Sequence, residues 1–270
     1  MKKVVLSVIA ALAVSTAVPA SAADMPVKGK MAPVAYVSPW DIAFGTAFTT
    51  DYVLRGISQS DRRPAVQGYF EVQYKAAEWV TLYAGLWGSS LHTGFANAEF
   101  DISGGARFSY NRFGLDLGYV YYEYPGPAAG GNISYGEFYA KPSFAVTDWL
   151  SIGGVFIGGD DFANGGNDAW YYAGNAAVKL PPVLPLGIAA TISGEVGRQT
   201  YATAVGFPDY TTWNIGVGFN YKAITLDLRY HDTDLAATAG QCAVGASGKN
   251  PCNEAFVAML KFDTALSALK

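Results

Sequence analysis

Hydrophobic and polar residues alternate along most of this chain, and the pattern first becomes regular at Phe44. From there, apolar residues keep one parity, while Asp51 and Arg55 lie on the other. Successive side chains of a β-strand point to opposite faces, so the alternation predicts a strand with two unlike faces. A polar run at residues 58–63 interrupts the pattern, which then resumes. The stretch is therefore predicted to form a strand, a loop and a strand.

Twelve segments of this kind follow one another between residues 41 and 263. Most contain 10 to 15 residues, which is longer than the about five or six of a typical globular strand. A tilted strand needs about 9 to 11 residues to cross a bilayer, so these lengths favour membrane-spanning strands. The predicted segments are 41–57, 64–76, 79–90, 98–110, 112–124, 133–146, 149–159, 168–180, 187–201, 211–222, 224–234 and 254–263.

The connections between these segments alternate in length. Tight turns follow the even-numbered segments, as at 76–78, and longer polar, Gly-rich loops follow the odd-numbered ones, as at 160–167. Short turns at one end and long loops at the other are typical of outer-membrane barrels, and an even strand count leaves both chain ends in the periplasm. The predicted fold class is all-β: a transmembrane antiparallel up-and-down β-barrel of about 12 strands.

Aromatic residues gather at the two ends of the predicted strands. Such residues form belts at the membrane interfaces of outer-membrane barrels, so their placement supports the same fold. Those beside the short turns include Trp40, Trp79, Tyr110 and Trp149, and those near the long loops include Tyr52, Trp87, Tyr121 and Trp170.

The third segment departs from the clean alternation. Tyr83 and Trp87 have the same parity as Thr81 and Ser89, which are polar. A β-bulge or a pair of aromatic side chains facing the lumen would each explain this pattern. Both explanations stay open at this point.

The N-terminus has the features of a Sec-type secretory signal peptide. Lys2 and Lys3 precede an apolar run at residues 4–18, and small residues follow at 20–22. The run is shorter than the roughly 20 residues of a membrane-spanning helix, so a cleaved signal is the favoured interpretation. The predicted division is a signal peptide at 1–22, a flexible periplasmic tail at 23–40, a barrel in the bacterial outer membrane at 41–263, and a C-terminal tail at 264–270.

Composition and charge narrow the class of function. Glycine (31), tyrosine (18) and phenylalanine (15) are abundant, while charged residues make up only 15% of the chain. This balance suits a membrane barrel. Removal of residues 1–22 takes away two of the 18 basic residues, so 16 remain against 22 acidic ones and the net charge becomes −6. The acidic balance argues against a nucleic-acid partner, and no cofactor is expected.

Two cysteines, Cys242 and Cys252, lie in a stretch rich in small residues. Export brings them into an oxidising compartment, where a disulfide between them is the expected state. A metal site is the alternative, but no histidine and no second pair of cysteines stands near them in the sequence. The prediction is a disulfide and no metal centre.

One block of residues resembles a known family. The sequence T-D-Y-V-L-R-G-I-S-Q-S at 50–60, with P-A-V-Q-G at 64–68 and Y-A-G-L-W-G-S at 83–89, resembles the TorF family of porins, formerly catalogued as a conserved bacterial protein of unknown function. The resemblance implies an outer-membrane porin. Barrels of this kind end on an aromatic residue that assembly recognises, whereas here residues 263–270 follow Phe262. The position of the assembly signal therefore stays open.

The polar parity of the strands is predicted to face a water-filled lumen, because charged side chains are confined to it. Rings of one charge set ion selectivity in pores. Eight acids and seven bases are nearly balanced here, so no sign of preference is assigned, and cross-strand pairing would narrow the channel. The predicted pore-lining residues are Asp51, Arg55, Glu71, Lys75, Glu99, Asp101, Arg107, Asp116, Glu137, Lys141, Glu195, Asp227 and Arg229, with Lys179 and Lys222 close to strand ends.

The opposite parity is predicted to contact lipid. In the first segment this parity contains Phe44, Phe48, Tyr52 and Leu54. Residues 58–63 are then predicted to form the first outward loop, without a binding role of their own.

The predicted function is passive diffusion of small hydrophilic solutes or ions through the barrel, without enzymatic activity. A plugged structural or adhesin-like barrel is one alternative. A hydrolase is another, because His231, Asp232 and Asp234 stand together in sequence and such a cluster could activate water, while His92 lies at a loop edge. The expected partners are outer-membrane lipid and lipopolysaccharide, the solutes, and the barrel-assembly machinery, and a homo-oligomer is left open.

Overall fold

The structure is a computed structural model that describes residues 38–93, 96–125, 132–181, 184–236, 242 and 248–269. The predicted signal peptide, and all of the predicted N-terminal tail except residues 38–40, lie outside the described residues. Within these ranges, no helix is both long and apolar enough to cross a membrane. The few helical turns are short 3₁₀ segments of three or four residues.

Twelve antiparallel strands form a closed barrel, which confirms the predicted fold class. Each strand pairs with its neighbours in the chain, and the first pairs with the last. Closure leaves no unpaired strand edge, so the backbone groups of the wall are satisfied within it. The strands are β1 (Trp40–Thr49), β2 (Ala65–Ala77), β3 (Val80–Ser90), β4 (Ala98–Tyr110), β5 (Phe113–Glu123), β6 (Tyr135–Ala145), β7 (Leu150–Gly159), β8 (Ala169–Lys179), β9 (Ala189–Tyr201), β10 (Tyr210–Tyr221), β11 (Ile224–Thr233) and β12 (Ala255–Ala265).

The two ends of the barrel differ in the length of their connections, as predicted. At the short-turn end, β4 joins β5 through Asn111 and Arg112, and β10 joins β11 through Lys222 and Ala223. Asn111 and Lys222 have φ angles of 53° and 54°, as tight turns between twisted strands require. Longer segments join the strands at the opposite, long-loop end. Beyond β12, the backbone N–H of Ser267 donates to Asp41 Oδ1 at 3.1 Å.

The outer face of the barrel is apolar. Phe48, Phe100, Ile102 and Ile215 all have more than half of their side-chain surface exposed. In water such a continuous apolar surface would be unfavourable, whereas a hydrocarbon layer suits it. The alternation seen in the sequence therefore separates an apolar outside from a polar inside.

The first strand is shorter than predicted. It ends at Thr49 rather than at residue 57, and the chain then turns into the barrel. Tyr52 is only 7% exposed and Leu54 is partly buried, so the prediction that these two residues contact lipid is wrong. The prediction that residues 58–63 form an outward loop is wrong for the same reason, because Ser58 and Ser60 are buried.

The irregular parity of β3 has a structural explanation. Leu82 and Leu86 face outward, while Tyr83 is buried inside the barrel. Trp87 faces inward and packs against Tyr52, with ring centroids 5.5 Å apart. A register irregularity does occur between β2 and β3, but it lies near the turn, at residues 75–77. The inward aromatic pair is therefore the correct explanation.

Candidate functional site

The segment that joins β1 to β2 folds back into the barrel and forms a hairpin there. Val53 pairs with Ser58, and Leu54 pairs with Ile57. We call residues 51–63 the inner hairpin. It contains the whole D-Y-x-x-R-G-x-S-Q-S block of the sequence, residues 51–60.

The turn of the inner hairpin requires two residues with positive φ. Arg55 has a φ of 48° and Gly56 a φ of 83°, which is the pattern of a primed two-residue turn. A Cβ atom on Gly56 would lie 2.3 Å from Thr212 Oγ1 and 2.5 Å from Thr233 Cγ2. Glycine is thus needed both for the turn and for the contact with β10 and β11. Arg55 adopts a conformation that costs about 1 kcal/mol, which its contacts must offset.

Asp51 organises the base of the hairpin. Its Oδ1 atom accepts hydrogen bonds from Ser58 Oγ at 2.6 Å and Ser60 Oγ at 2.8 Å. Its Oδ2 atom accepts one from Arg62 Nη1 at 3.1 Å. The backbone N–H of Gln59 also donates to Tyr52 O at 2.6 Å. The aspartate and the two serines of this block, together with Arg62 of the hairpin, therefore form one buried polar network.

Tyr52 connects the hairpin to the wall at β4. Its hydroxyl donates to Glu99 Oε1 at 3.2 Å. Burial raises the pKa of Tyr52 well above its usual value, and the Glu99 carboxylate raises that pKa further. The hydroxyl therefore remains protonated and acts as a hydrogen-bond donor.

Arg55 connects the tip of the hairpin to the opposite wall. Its Nη1 and Nη2 atoms donate to the two carboxylate oxygens of Glu137 at 3.1 Å and 2.5 Å. Gln199 Oε1 accepts a further bond from Nη1 at 3.0 Å. Tyr122 donates to Glu137 at 2.8 Å, and Tyr210 donates to the Arg55 carbonyl at 3.0 Å. Since β6 and β9 lie across the barrel from β1 and β2, the hairpin crosses the lumen.

A second cluster of charges lies on the walls formed by β2 to β5. Arg107 donates to both carboxylate oxygens of Glu71, at 2.6 Å and 2.7 Å. It also contacts Asp116 at 3.3 Å, and its guanidinium lies 3.9 Å from the centroid of the Tyr83 ring. The hydroxyl of Tyr83 is hydrogen-bonded to Asp116 and to Tyr139. The cluster joins β2 to β5 across the lumen-facing surface, and Tyr139 extends it to β6.

A third cluster surrounds Arg229 on β11. Its Nε and Nη2 atoms each donate to Asp227 at 3.0 Å. Two further bonds reach Asn214 Oδ1 at 2.7 Å and Ser193 Oγ at 2.8 Å. All hydrogen-bonding nitrogens of this guanidinium therefore have protein acceptors.

The remaining predicted pore residues have fewer polar contacts. Lys141 Nζ lies 4.5 Å from the centroid of the Tyr139 ring. Glu195 accepts a bond from Tyr171 at 2.8 Å, Asp101 follows Glu99 at the next inward position of β4, and Lys75 is exposed near the short-turn end. The structure thus brings Asp51, Arg55, Glu99 and Glu137 together around the hairpin and leaves the others on the wall. Their role in a pore stays a prediction.

The proposed hydrolase cluster is not assembled. His231 is buried on the inward face of β11, whereas Asp232 lies on the alternate face and accepts a bond from Tyr230 at 3.2 Å. Asp234 accepts the backbone N–H of Thr211 at 2.7 Å. Across the residues described, no group of histidine, cysteine and carboxylate side chains is arranged to hold a metal ion.

The disulfide prediction is confirmed. Cys242 and Cys252 are bonded, with Cα atoms 5.5 Å apart, and both are buried. Thr233 Oγ1 on β11 donates to the Cys252 carbonyl at 2.9 Å. The bond therefore lies beside the barrel wall at the long-loop end.

Comparison with known families gives one match over most of the chain. Residues 34–261 match the family described as "Bacterial protein of unknown function (Gcw_chp)". The chain belongs to the Gcw_chp family. Comparison with curated protein sequences gives no match.

Several solved barrels are similar to this Gcw_chp chain. The KdgM porin has 10% sequence identity and a TM-score of 0.49, over 82% of this chain and 98% of that one. An outer membrane channel from Pseudomonas putida F1 has 12% identity and a TM-score of 0.47, over 88% and 100%. LpxR from Salmonella typhimurium has 9% identity and a TM-score of 0.43, over 82% and 99%. Likenesses at this level carry no information about what the Gcw_chp barrel transports or binds.

The sequence interpretation missed the inner hairpin and three of its partners on the wall. Gln199 and Tyr210 bond Arg55, and Tyr122 bonds its partner Glu137, yet each is an ordinary inward residue of its strand. One local signal was present, since Gly56 directly follows Arg55 within an otherwise alternating run. A glycine inside a strand pattern indicates a turn or a close backbone approach, and here it marks both.

Proposed function

We propose that this protein is an outer-membrane porin that passes small hydrophilic solutes or ions by passive diffusion, with the inner hairpin as its narrowest section. The observation that carries the proposal is a closed barrel with an apolar outside and a charged inside. Such a wall suits contact with lipid on one face and with water on the other. This narrowest section then selects the passing solutes through four charged residues, Asp51, Arg55, Glu99 and Glu137.

The location and partners belong to the same proposal. The exported chain would be inserted by the barrel-assembly machinery and would contact outer-membrane lipid and lipopolysaccharide. The TorF-type porin name rests on the sequence resemblance of the block at residues 50–60. Self-association remains a prediction without a named interface.

Planar-bilayer recording tests the porin proposal. Refolded wild-type protein is expected to give discrete conductance steps. A variant with residues 53–58 replaced by Gly-Gly removes the hairpin tip, and larger steps are expected because Arg55 no longer crosses the lumen. Heat-modifiable gel migration checks that both proteins are folded. Silence from both folded proteins would overturn the proposal.

A plugged structural barrel is the second candidate. The bidentate contact between Arg55 and Glu137 favours it, because both side chains are almost fully buried, at 7% and 1% exposure. This candidate predicts that the wild-type protein is silent while the shortened variant conducts. The two proteins of the recording experiment therefore separate the two functions.

A further inference from the structure

The inner hairpin is tied to the long-loop end chiefly by Arg62. The guanidinium of Arg62 donates to the carbonyl oxygens of Asn250 at 3.2 Å, Pro251 at 3.0 Å, and Asn253. Its remaining contact is the ion pair with Asp51, at 3.1 Å. Arg62 therefore joins the polar network at the base of the hairpin to a short stretch of backbone before β12.

That stretch of backbone surrounds one end of the disulfide. The acceptors at positions 250, 251 and 253 flank Cys252, which is bonded to Cys242. Ser58 adds a backbone bond to the same stretch, from its N–H to Pro251 O at 2.9 Å. Four hydrogen bonds from the hairpin thus end on carbonyl oxygens that lie within two residues of Cys252.

In a flexible loop, three carbonyl oxygens would not stay directed at one guanidinium group. Ordering a backbone residue costs about 1 to 2 kcal/mol, and a covalent cross-link lowers the number of competing conformations. The disulfide, together with the bond from Thr233 to the Cys252 carbonyl, therefore restrains the acceptors that Arg62 needs.

We propose that the Cys242–Cys252 disulfide is a covalent clamp that keeps the inner hairpin inside the barrel. When the bond is intact, residues 250–253 hold Arg62, and through Asp51 they hold the hairpin base. Reduction frees this backbone and the four bonds are lost. The contacts of Tyr52 and Arg55 with the wall remain, so the hairpin opens from its position across the lumen more often. The clamp itself is independent of solute passage, whereas its effect on conductance rests on the proposed porin function.

The reaction is a thiol–disulfide exchange with a dithiol reductant. One reductant thiolate attacks a sulfur of the bond and forms a mixed disulfide, which the second reductant thiolate then resolves. Two electrons and two protons reach the protein, which gains two thiols, while the reductant becomes a cyclic disulfide. Because both cysteines are buried, the C242S/C252S double variant provides the cleaved state without a reductant.

Hydrogen exchange measured by mass spectrometry tests the clamp. Folded protein in lipid vesicles is compared in three states: oxidised, reduced with dithiothreitol, and C242S/C252S. Amides of residues 53–59 are expected to exchange about tenfold faster in the second and third states, because the hairpin opens locally. Strands β4 to β9 should exchange unchanged. Equal exchange of residues 53–59 in all three states, with free thiols verified by alkylation, would overturn the clamp.

A pair of neighbouring arginines gives a matched control. Arg62→Gln removes the bonds to residues 250–253 and should reproduce the faster exchange in oxidised protein. Arg63→Gln changes a side chain that is 43% exposed and contacts Asp61 at 3.6 Å, so the hairpin should stay protected. If residues 53–59 exchange at the same rate in Arg62→Gln and Arg63→Gln, Arg62 does not connect the disulfide to the hairpin.

Conductance of the same three states links the clamp to transport. Larger steps in the reduced and double-variant barrels are expected. If residues 53–59 exchange faster but no state conducts, the clamp stands and the porin proposal fails. If exchange is unchanged, the clamp fails whatever the conductance.

Discussion

At the tip of the inner hairpin, Gly56 combines a positive φ with a contact that leaves no room for a side chain. A methyl group there would overlap Thr212 and Thr233. We predict that Gly56→Ala displaces the hairpin and exposes Arg55 to trypsin in the folded barrel. Cleavage after Arg55, detected by mass spectrometry, measures this displacement.

Gly166 provides the control for that substitution. It also has a positive φ, 64°, but a Cβ atom there would meet nothing within 4 Å. Gly166→Ala should therefore add only backbone strain of about 1 kcal/mol and leave Arg55 protected. Cleavage in both variants alike would show that strain, rather than the contact with β10 and β11, governs the hairpin.

The contact between Arg55 and Glu137 predicts a strong coupling. Arg55→Met leaves the Glu137 carboxylate buried without its partner, which should lower the free energy of unfolding by about 3 to 5 kcal/mol. The double variant R55M/E137Q removes both charges and should regain most of the loss. Urea unfolding in vesicles measures each value.

An exposed ion pair serves for comparison. Arg112 and Asp148 lie 3.9 Å apart at the short-turn end and are largely exposed. Breaking that pair with Arg112→Met should change stability by at most about 1 kcal/mol, because solvent screens it. If Arg55→Met and Arg112→Met lowered the free energy of unfolding by similar amounts, burial would not explain the strength of the Arg55–Glu137 pair.

At the scale of the elements, alternation predicts strands well when both faces are uniform. The segment predicted at 98–110 is β4, Ala98–Tyr110, and the segment at 211–222 is β10, Tyr210–Tyr221. The same rule fails after Thr49. Tyr52 and Leu54 continue the parity of Phe48, so nothing in the alternation separates a wall strand from a hairpin inside the wall. What distinguishes them is the packing of Gly56 against strands far away in the chain.

The candidate site was predictable in part for a related reason. The inward parity places Glu137 and Arg107 inside the barrel, but their partners are distant in sequence. Arg55 lies 82 residues from Glu137, and Arg107 lies 36 residues from Glu71. Which acid contacts which base depends on strand order, register and tilt together, and a list of inward residues contains none of these.

At the scale of the whole molecule, the apolar outside predicts a cost that depends on depth. Ile215 is central in β10 and faces outward. Ile215→Arg would bury a charge in hydrocarbon and should reduce the free energy of unfolding by about 2 to 4 kcal/mol. Urea unfolding in vesicles measures the change. Tyr110→Arg, at the end of β4, should cost only about 0 to 1 kcal/mol, and equal costs at both positions would count against a membrane-spanning wall.

The hairpin also constrains the order of events during biogenesis. It belongs to the first connection of the chain, yet its tip is held by Glu137, Gln199 and Tyr210, and Gln199 comes 144 residues after Arg55. Contacts of such large sequence separation form late and slowly. The polar groups of the hairpin tip therefore lack these partners until the later strands fold. The barrel then closes around a segment that was synthesised before most of the wall.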